Sequence, residues 1–180
     1  MMERDAIQDI AIKTLITNNG ASMHDIAVAA GIGRTTLHRY FASRDDMLRA
    51  LLLSAFQDIE QAMTECQIET GTALEALERI ITVLMPIGHR FTFLLGAWPF
   101  AEDNKELKSR ELRLLYQLEG LVQRGQKEKS LRTDLPVRWI IDTMTALLFM
   151  AWQRISDGYI APRDASKLIM TTLLTGVGTH

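Results

Sequence analysis

One cysteine, Cys66, stands alone in the chain, so no intrachain disulfide can form and a reducing compartment suits it. Uninterrupted apolar runs of membrane-spanning length, about 18 residues or more, are also missing. Residues 80–100 are broken by Pro86, Gly88, His89 and Arg90, while 139–152 is too short and contains Asp142. The N-terminus is charged from its third residue and lacks the apolar core of a signal peptide. A soluble, cytoplasmic protein with no membrane partner is therefore expected. Catalytic spacings are scarce as well. His24, His38, His89 and His180 fall in separate segments with no HxxxH or HExxH pattern, and there is no Walker-type or GxGxxG loop. No metal, no cofactor and no enzymatic activity are expected. Charge of one sign is lacking too: 20 Lys and Arg stand against 22 Asp and Glu, a formal net charge of −2. Any grip on nucleic acid must come from a local patch.

What is present is helix. No strand alternation, internal repeat or low-complexity segment interrupts the helical periodicity. Ala6, Ile7, Ile10, Ala11 and Leu15 recur at helical spacing, and Gly20 closes that segment. Ser22 with Asp25 reads as a capping box opening a short helix with Ile26, Ala27 and Ala30 on one small apolar face. Gly31 tolerates the left-handed conformation past a helix end and stops it. A second short helix follows over 33–41, with Leu37 and Phe41 one turn apart on its buried side. Ser43 with Asp46 is a second capping box, and it opens a long helix reaching about residue 67. Two short helices about a glycine turn have the spacing of a DNA-binding helix-turn-helix.

The second short helix carries matching chemistry. Its outward positions are Arg34, Thr35, Thr36, His38, Arg39 and Tyr40, and no carboxylate occurs between Gly31 and Arg44. Arginine pairs with guanine in a bidentate manner, and threonine offers a hydroxyl or methyl to a base edge. Arg39, Tyr40 and Arg44 are residue types that hold phosphates. The plain alternative is a solvated face on an ordinary surface helix.

The run AGIGRTTLHRYFASRDDML closely resembles the signature of the TetR/AcrR-type bacterial transcriptional regulators. In that family an Ala-Gly turn precedes a recognition helix ending in an aromatic cluster, then Ser, a basic and an acidic residue. The resemblance covers about residues 6–52. His38 stands where the family usually has Tyr, and Arg44 where it usually has Lys. The resemblance implies an all-α fold with an N-terminal three-helix helix-turn-helix DNA-binding domain, residues 1–45. A C-terminal helical effector-binding and dimerisation domain, residues 46–180, follows. It also implies a homodimer formed through the last two helices.

The remaining segments fit that plan. Thr72 with Glu75 caps a helix bearing Leu74, Leu77, Ile80, Ile81 and Leu84, which Pro86 and Gly88 break. Residues 89–97 resume a short apolar helix, closed by Trp98, Pro99 and Phe100. The polar run starting at Glu102 opens a long helix with Leu107, Leu114, Leu115, Leu118, Leu121 and Val122 facing inward. Pro136 suits the first turn of the next helix, which from Ile140 to Ile155 is apolar nearly all round. A helix without a polar face must be covered on both sides, and a second copy of the chain would supply the cover. Pro162 begins the last helix, with Leu168, Ile169, Leu173 and Leu174 on its stripe.

Met, Phe and Trp are dense in two of these segments. Met85, His89, Phe93, Trp98, Tyr116, Met144, Leu148 and Trp152 are the candidate lining of an effector pocket. Plain core packing accounts for the same residues. The reading that joins these features is a DNA-binding repressor, released from a palindromic operator by a small apolar or amphipathic effector. The segment from Gly33 to Tyr40 would enter the major groove, with Arg34, Thr35 and Thr36 reading bases, while the helix start at Ser22, with His38, Arg39, Tyr40 and Arg44, would hold double-stranded DNA by its phosphates. The alternative is a helical dimeric binding or scaffold protein with a non-functional helix-turn-helix.

Overall fold

The structure is a computed structural model that describes residues 4–100 and 103–178. Among the described residues it has nine α-helices and no strand, with one isolated bridge between Leu131 and Gly178. They are α1 (Arg4–Thr17), α2 (Met23–Ala29), α3 (Arg34–Tyr40), α4 (Arg44–Glu65), α5 (Ala73–Leu84), α6 (Gly88–Ala97), α7 (Lys105–Lys127), α8 (Val137–Ser156) and α9 (Pro162–Val177). The all-α expectation holds.

The chain divides into two compact units: Met1–Asp58 with His89–Lys108, and Ile59–Gly88 with Ser109–His180. In the first, α1 packs on α2 and α2 on α3. The face that α1 buries differs from the one its spacing predicts. Ile7, Ala11 and Leu15 are buried as expected, but Gln8 and Ile12 join them while Ala6 is exposed. Isoleucine outweighs alanine in apolar area, so the helix rotates to bury Ile12. The first part of α4 buries Met47, Leu51, Leu52, Ala55 and Phe56, and α6 buries Phe93, Leu94 and Ala97. Trp98 meets Phe56 edge to face, with ring centroids 6.2 Å apart. The long helix α7 begins at Lys105, where the Asn104 side-chain oxygen accepts from the N–H groups of Glu106 and Leu107 at 3.0 and 3.2 Å. The expected start at Glu102 lies outside the described residues.

The second unit opens on the end of α4. There Arg79 donates from Nε to the Cys66 carbonyl at 2.8 Å and Arg124 from Nη2 to the Ile68 carbonyl at 2.8 Å. These guanidinium groups satisfy carbonyls left over where the helix stops. The Thr72 capping box forms as expected: Glu75 N–H donates to Thr72 Oγ1 at 3.3 Å, and Thr72 N–H to Glu75 Oε2 at 2.8 Å. The inner stripe of α5 buries Ala73, Ala76, Leu77, Ile80, Ile81 and Leu84, while Leu74, expected among them, is half-buried. Residues Ala73–Phe100 match a membrane span by length and composition, but a 3₁₀ turn at Met85–Ile87, containing Pro86, separates α5 from α6. Pro136 precedes α8 as its N-cap rather than entering the first turn.

Helix α8 packs on α9, and α9 on α5. Its inner face buries Ile140, Ile141, Met144, Leu148, Ala151 and Trp152. The outer face stays open, with Trp139 61% and Met150 52% exposed, and Leu168 on α9 48% exposed. Gly88 has a packing role. A Cβ there would stand 2.0 Å from the indole of Trp152, far inside contact distance. Gly88→Ala must push the indole out of its buried place, at a cost of about 1–3 kcal/mol. Thermal unfolding should register this as a clear loss of stability, whereas Gly120→Ala, whose Cβ meets nothing within 4 Å, should leave stability unchanged or raised.

Candidate nucleic-acid interface

The helix-turn-helix is built almost entirely from local chemistry. Ser22 N–H donates to Asp25 Oδ2 at 2.8 Å and Asp25 N–H to Ser22 Oγ at 3.2 Å, the reciprocal bonds of a capping box. The N–H and hydroxyl of Ser22 hold the Asp25 carboxyl below its ordinary pKa. Past the other end of α2, Gly31 adopts φ +63°. Its N–H donates to the Val28 carbonyl and that of Ile32 to the Ala27 carbonyl, both at 3.0 Å. These are the two bonds of a Schellman motif, which a glycine in the left-handed region permits at little cost. The turn throws the chain into α3, whose single buried side chain, Leu37, is fully enclosed. Gly33 is the N-cap of α3, and a Cβ there would meet only Thr36 Oγ1 at 3.9 Å.

With Leu37 anchored inward, α3 turns Arg34, Thr35, His38 and Arg39 to the exterior, and half-buries Thr36 and Tyr40. The Tyr40 ring lies 6.5 Å from that of Phe41, which is itself buried. Two cations expected or overlooked have structural posts instead. Arg44, expected on a phosphate, donates from Nη2 to the Asn19 carbonyl at 2.8 Å and from Nη1 to the Ala21 carbonyl. In this structure it braces the turn between α1 and α2. Arg4, which the sequence pattern did not single out, places its guanidinium 5.7 Å from the centroid of the Phe41 ring, a cation–π contact tying α1 to the end of α3.

A family model described as bacterial regulatory proteins of the tetR family matches residues 19–51, the capping box, the glycine turn, α3 and the start of α4. The transcriptional repressor LfrR of Mycolicibacterium smegmatis is 29% identical over 179 residues, covering 98% of this chain and 90% of the relative. Its crystal structure in complex with proflavine superposes with a TM-score of 0.74 at 28% identity, covering 98% of this chain and 97% of that one. Residues 19–51 match the DNA-binding part of the tetR family, and the chain is similar over nearly its whole length to TetR-like regulators. These relatives are transcriptional regulators, in line with the expectation of a non-enzymatic protein. The ketosteroid transcriptional regulator KstR2 of Mycobacterium tuberculosis shares the fold, with a TM-score of 0.78 at 16% identity, covering 100% of this chain and 98% of that one.

The candidate effector residues divide between the two units. Met85, Met144, Leu148 and Trp152 belong to the second, where the last three are buried on α8. Tyr116 is in the same unit but 78% exposed on α7, so it lines no enclosed space there. His89, Phe93 and Trp98 belong to the first unit. Phe93 is core, Trp98 meets Phe56 edge to face, and His89 Nε2 lies 2.6 Å from Asp9 Oδ1. Asp9 and Asp58, which hold the neighbouring Arg90, carried no sequence signal. Each sits among ordinary helix-surface residues, and only the fold brings it to α6.

Proposed function

We propose that this regulator is a dimeric repressor that inserts α3 into the major groove of a palindromic operator. The observation that carries the reading is the outward face of α3: Arg34, Thr35, His38 and Arg39 stand exposed over a helix fixed by one buried leucine and a Schellman turn. In this reading Arg34, Thr35 and Thr36 read base edges, while His38, Arg39 and Tyr40 hold phosphates. The N-terminus of α2 at Ser22 and that of α3 at Gly33 offer N–H groups to the backbone. Arg44 acts behind them by positioning the α1–α2 turn. Residues 1–45 then form the DNA-binding domain and 46–180 the effector and dimerisation part, in the cytoplasm.

The dimer forms through α8 and α9, whose exposed Trp139, Met150 and Leu168 a second copy would cover. A two-fold axis then sets the recognition helices about 34–36 Å apart, one groove repeat. The effector is amphipathic. A planar aromatic cation such as proflavine, named in the LfrR complex, is the class to screen, with Met144, Leu148 and Trp152 as apolar lining. Effector binding would act on the operator through α4, which has residues in both units. Such coupling is typically about 1–3 kcal/mol.

The test is titration of the protein with its own upstream DNA and with a scrambled duplex across a salt series. Nanomolar, sequence-selective binding with a steep salt slope is expected. Weak binding equal on both duplexes would overturn the operator reading.

A further inference from the structure

Among the described residues Arg90 is the only buried charged side chain, 8% exposed, and it sits in the first turn of α6 at the centre of an ion cluster. Its Nε lies 3.0 Å from Asp58 Oδ2 on α4, and its Nη2 3.6 Å from Asp9 Oδ1 on α1. The same Asp9 oxygen is 2.6 Å from His89 Nε2, while Asp9 Oδ2 pairs with Lys13 Nζ at 2.7 Å. Three helices that meet nowhere in sequence are thus held together by charge. Apolar side chains of similar volume would hold them at lower desolvation cost. What charges add is dependence on protonation.

We propose that Asp9, His89, Arg90 and Asp58 form a pH-sensitive lock that fastens α6 to α1 and α4, and so fixes the unit that carries the recognition helix. The groups facing His89 are Asp9 and Lys13 on α1, Arg90 on its own helix, and, through Arg90, Asp58 on α4. With His89 neutral, two carboxylates balance Lys13 and Arg90. Protonation leaves one uncompensated positive charge in a half-buried cluster, next to two cations. Burial pulls the His89 pKa below its ordinary value and prevails over the Asp9 hydrogen bond and charge; Arg90 and Lys13 push the same way. The sign follows from linkage. A histidine whose folded pKa is depressed contributes stability that is fully present above its unfolded pKa, about 6.5. That stability is lost as pH falls from there toward the lower folded value. Acid therefore opens the lock. Because α1 packs on α2, and α2 on α3, an opened lock weakens the scaffold of the DNA-reading helix.

The functional consequence rests on the operator reading above, but the lock can be tested without DNA. The experiment follows the His89 ring signal by NMR and amide-exchange protection of α1 and α6 from about pH 8 to about pH 5 in the wild-type protein, His89→Gln and Asp9→Asn. Glutamine keeps a donor toward Asp9 and does not titrate. In the wild type, protection of α1 and α6 should fall from about pH 6.5 down to the native-state His89 titration and level off below it, by about tenfold in all for each unit by which the His89 pKa is displaced. His89→Gln should abolish that fall. Asp9→Asn removes the carboxylate partner and should move His89 titration to lower pH. Operator affinity should track the same difference between wild type and His89→Gln, with His24 and His38 present in both. Protection that stays level from about pH 6.5 down to the His89 titration, or an identical profile in His89→Gln, overturns the lock. A protection profile as expected with no operator binding would instead discard the operator reading and leave the lock standing.

Discussion

Replacing Arg34 with alanine is expected to cost about 1–3 kcal/mol of operator affinity, roughly 5- to 150-fold, and to relax the preference for one base pair. Arg34 opens α3 and is exposed. It directly follows the N-cap Gly33, where a helix entering the major groove presents its first side chains to base edges. The geometry gives Arg39 a different expectation. It lies near the other end of α3, also exposed, where the helix leaves the groove beside the backbone. Arg39→Ala should weaken every sequence alike and reduce the salt slope by about one ion per half-site. Neither change touches the buried side of α3, so both variants should unfold at the wild-type temperature. The discriminating measurement is affinity for operator and for a single-base variant, each over a salt series. Equal losses on both duplexes from Arg34→Ala would move it to the phosphate class, and no loss from either variant would place the recognition helix elsewhere.

The parts of this site that are legible in sequence are those whose physics is local. A capping box is decided within four residues, and Ser22–Asp25 and Thr72–Glu75 form it as read. The turn at Gly31 is decided by one residue that tolerates positive φ. Leu37 and Phe41 are buried because the short helix offers no other large apolar anchor. Partners distant in sequence are the ones that escaped. Arg44 has the charge and position of a phosphate contact, yet its donors meet carbonyls at Asn19 and Ala21, on a turn more than twenty residues away. Asp9 and His89 are 80 residues apart, and nothing in either neighbourhood announces the other. The phase of α1 escaped for a related reason: its amphipathic pattern is shallow, so the surface it packs against chose the face. The candidate effector residues illustrate the same limit. Aromatic and methionine density marks where apolar surface is needed, and core packing meets that need as readily as a ligand does.

The second large effect is expected from Met150→Glu. Met150 is 52% exposed on the outer face of α8, so the change costs the folded chain little, within about half a kcal/mol for an exposed site. A dimer built on α8 and α9 multiplies the consequence. In an isologous interface every substitution appears twice, and both carboxylates are brought onto apolar surface beside Trp139 and Leu168 or their copies. Like charges desolvated in this way cost several kcal/mol, so dimer dissociation should rise by at least about a hundredfold. A protein reduced to monomers loses the second half-site and the effective concentration that links the two. Operator affinity should therefore fall by about 10²–10⁴ with the recognition helix intact. Leu112→Glu on α7 serves as the control, since Leu112 is equally exposed, at 54%, and lies outside the proposed interface. Sedimentation across a concentration series, together with operator titration and thermal unfolding, reads all three quantities. A Met150→Glu protein that stays dimeric at wild-type concentrations would remove α8 from the interface. A Leu112→Glu protein that dissociates instead would transfer the interface to α7, where Tyr116, one turn along and still more exposed, would be the next residue to change.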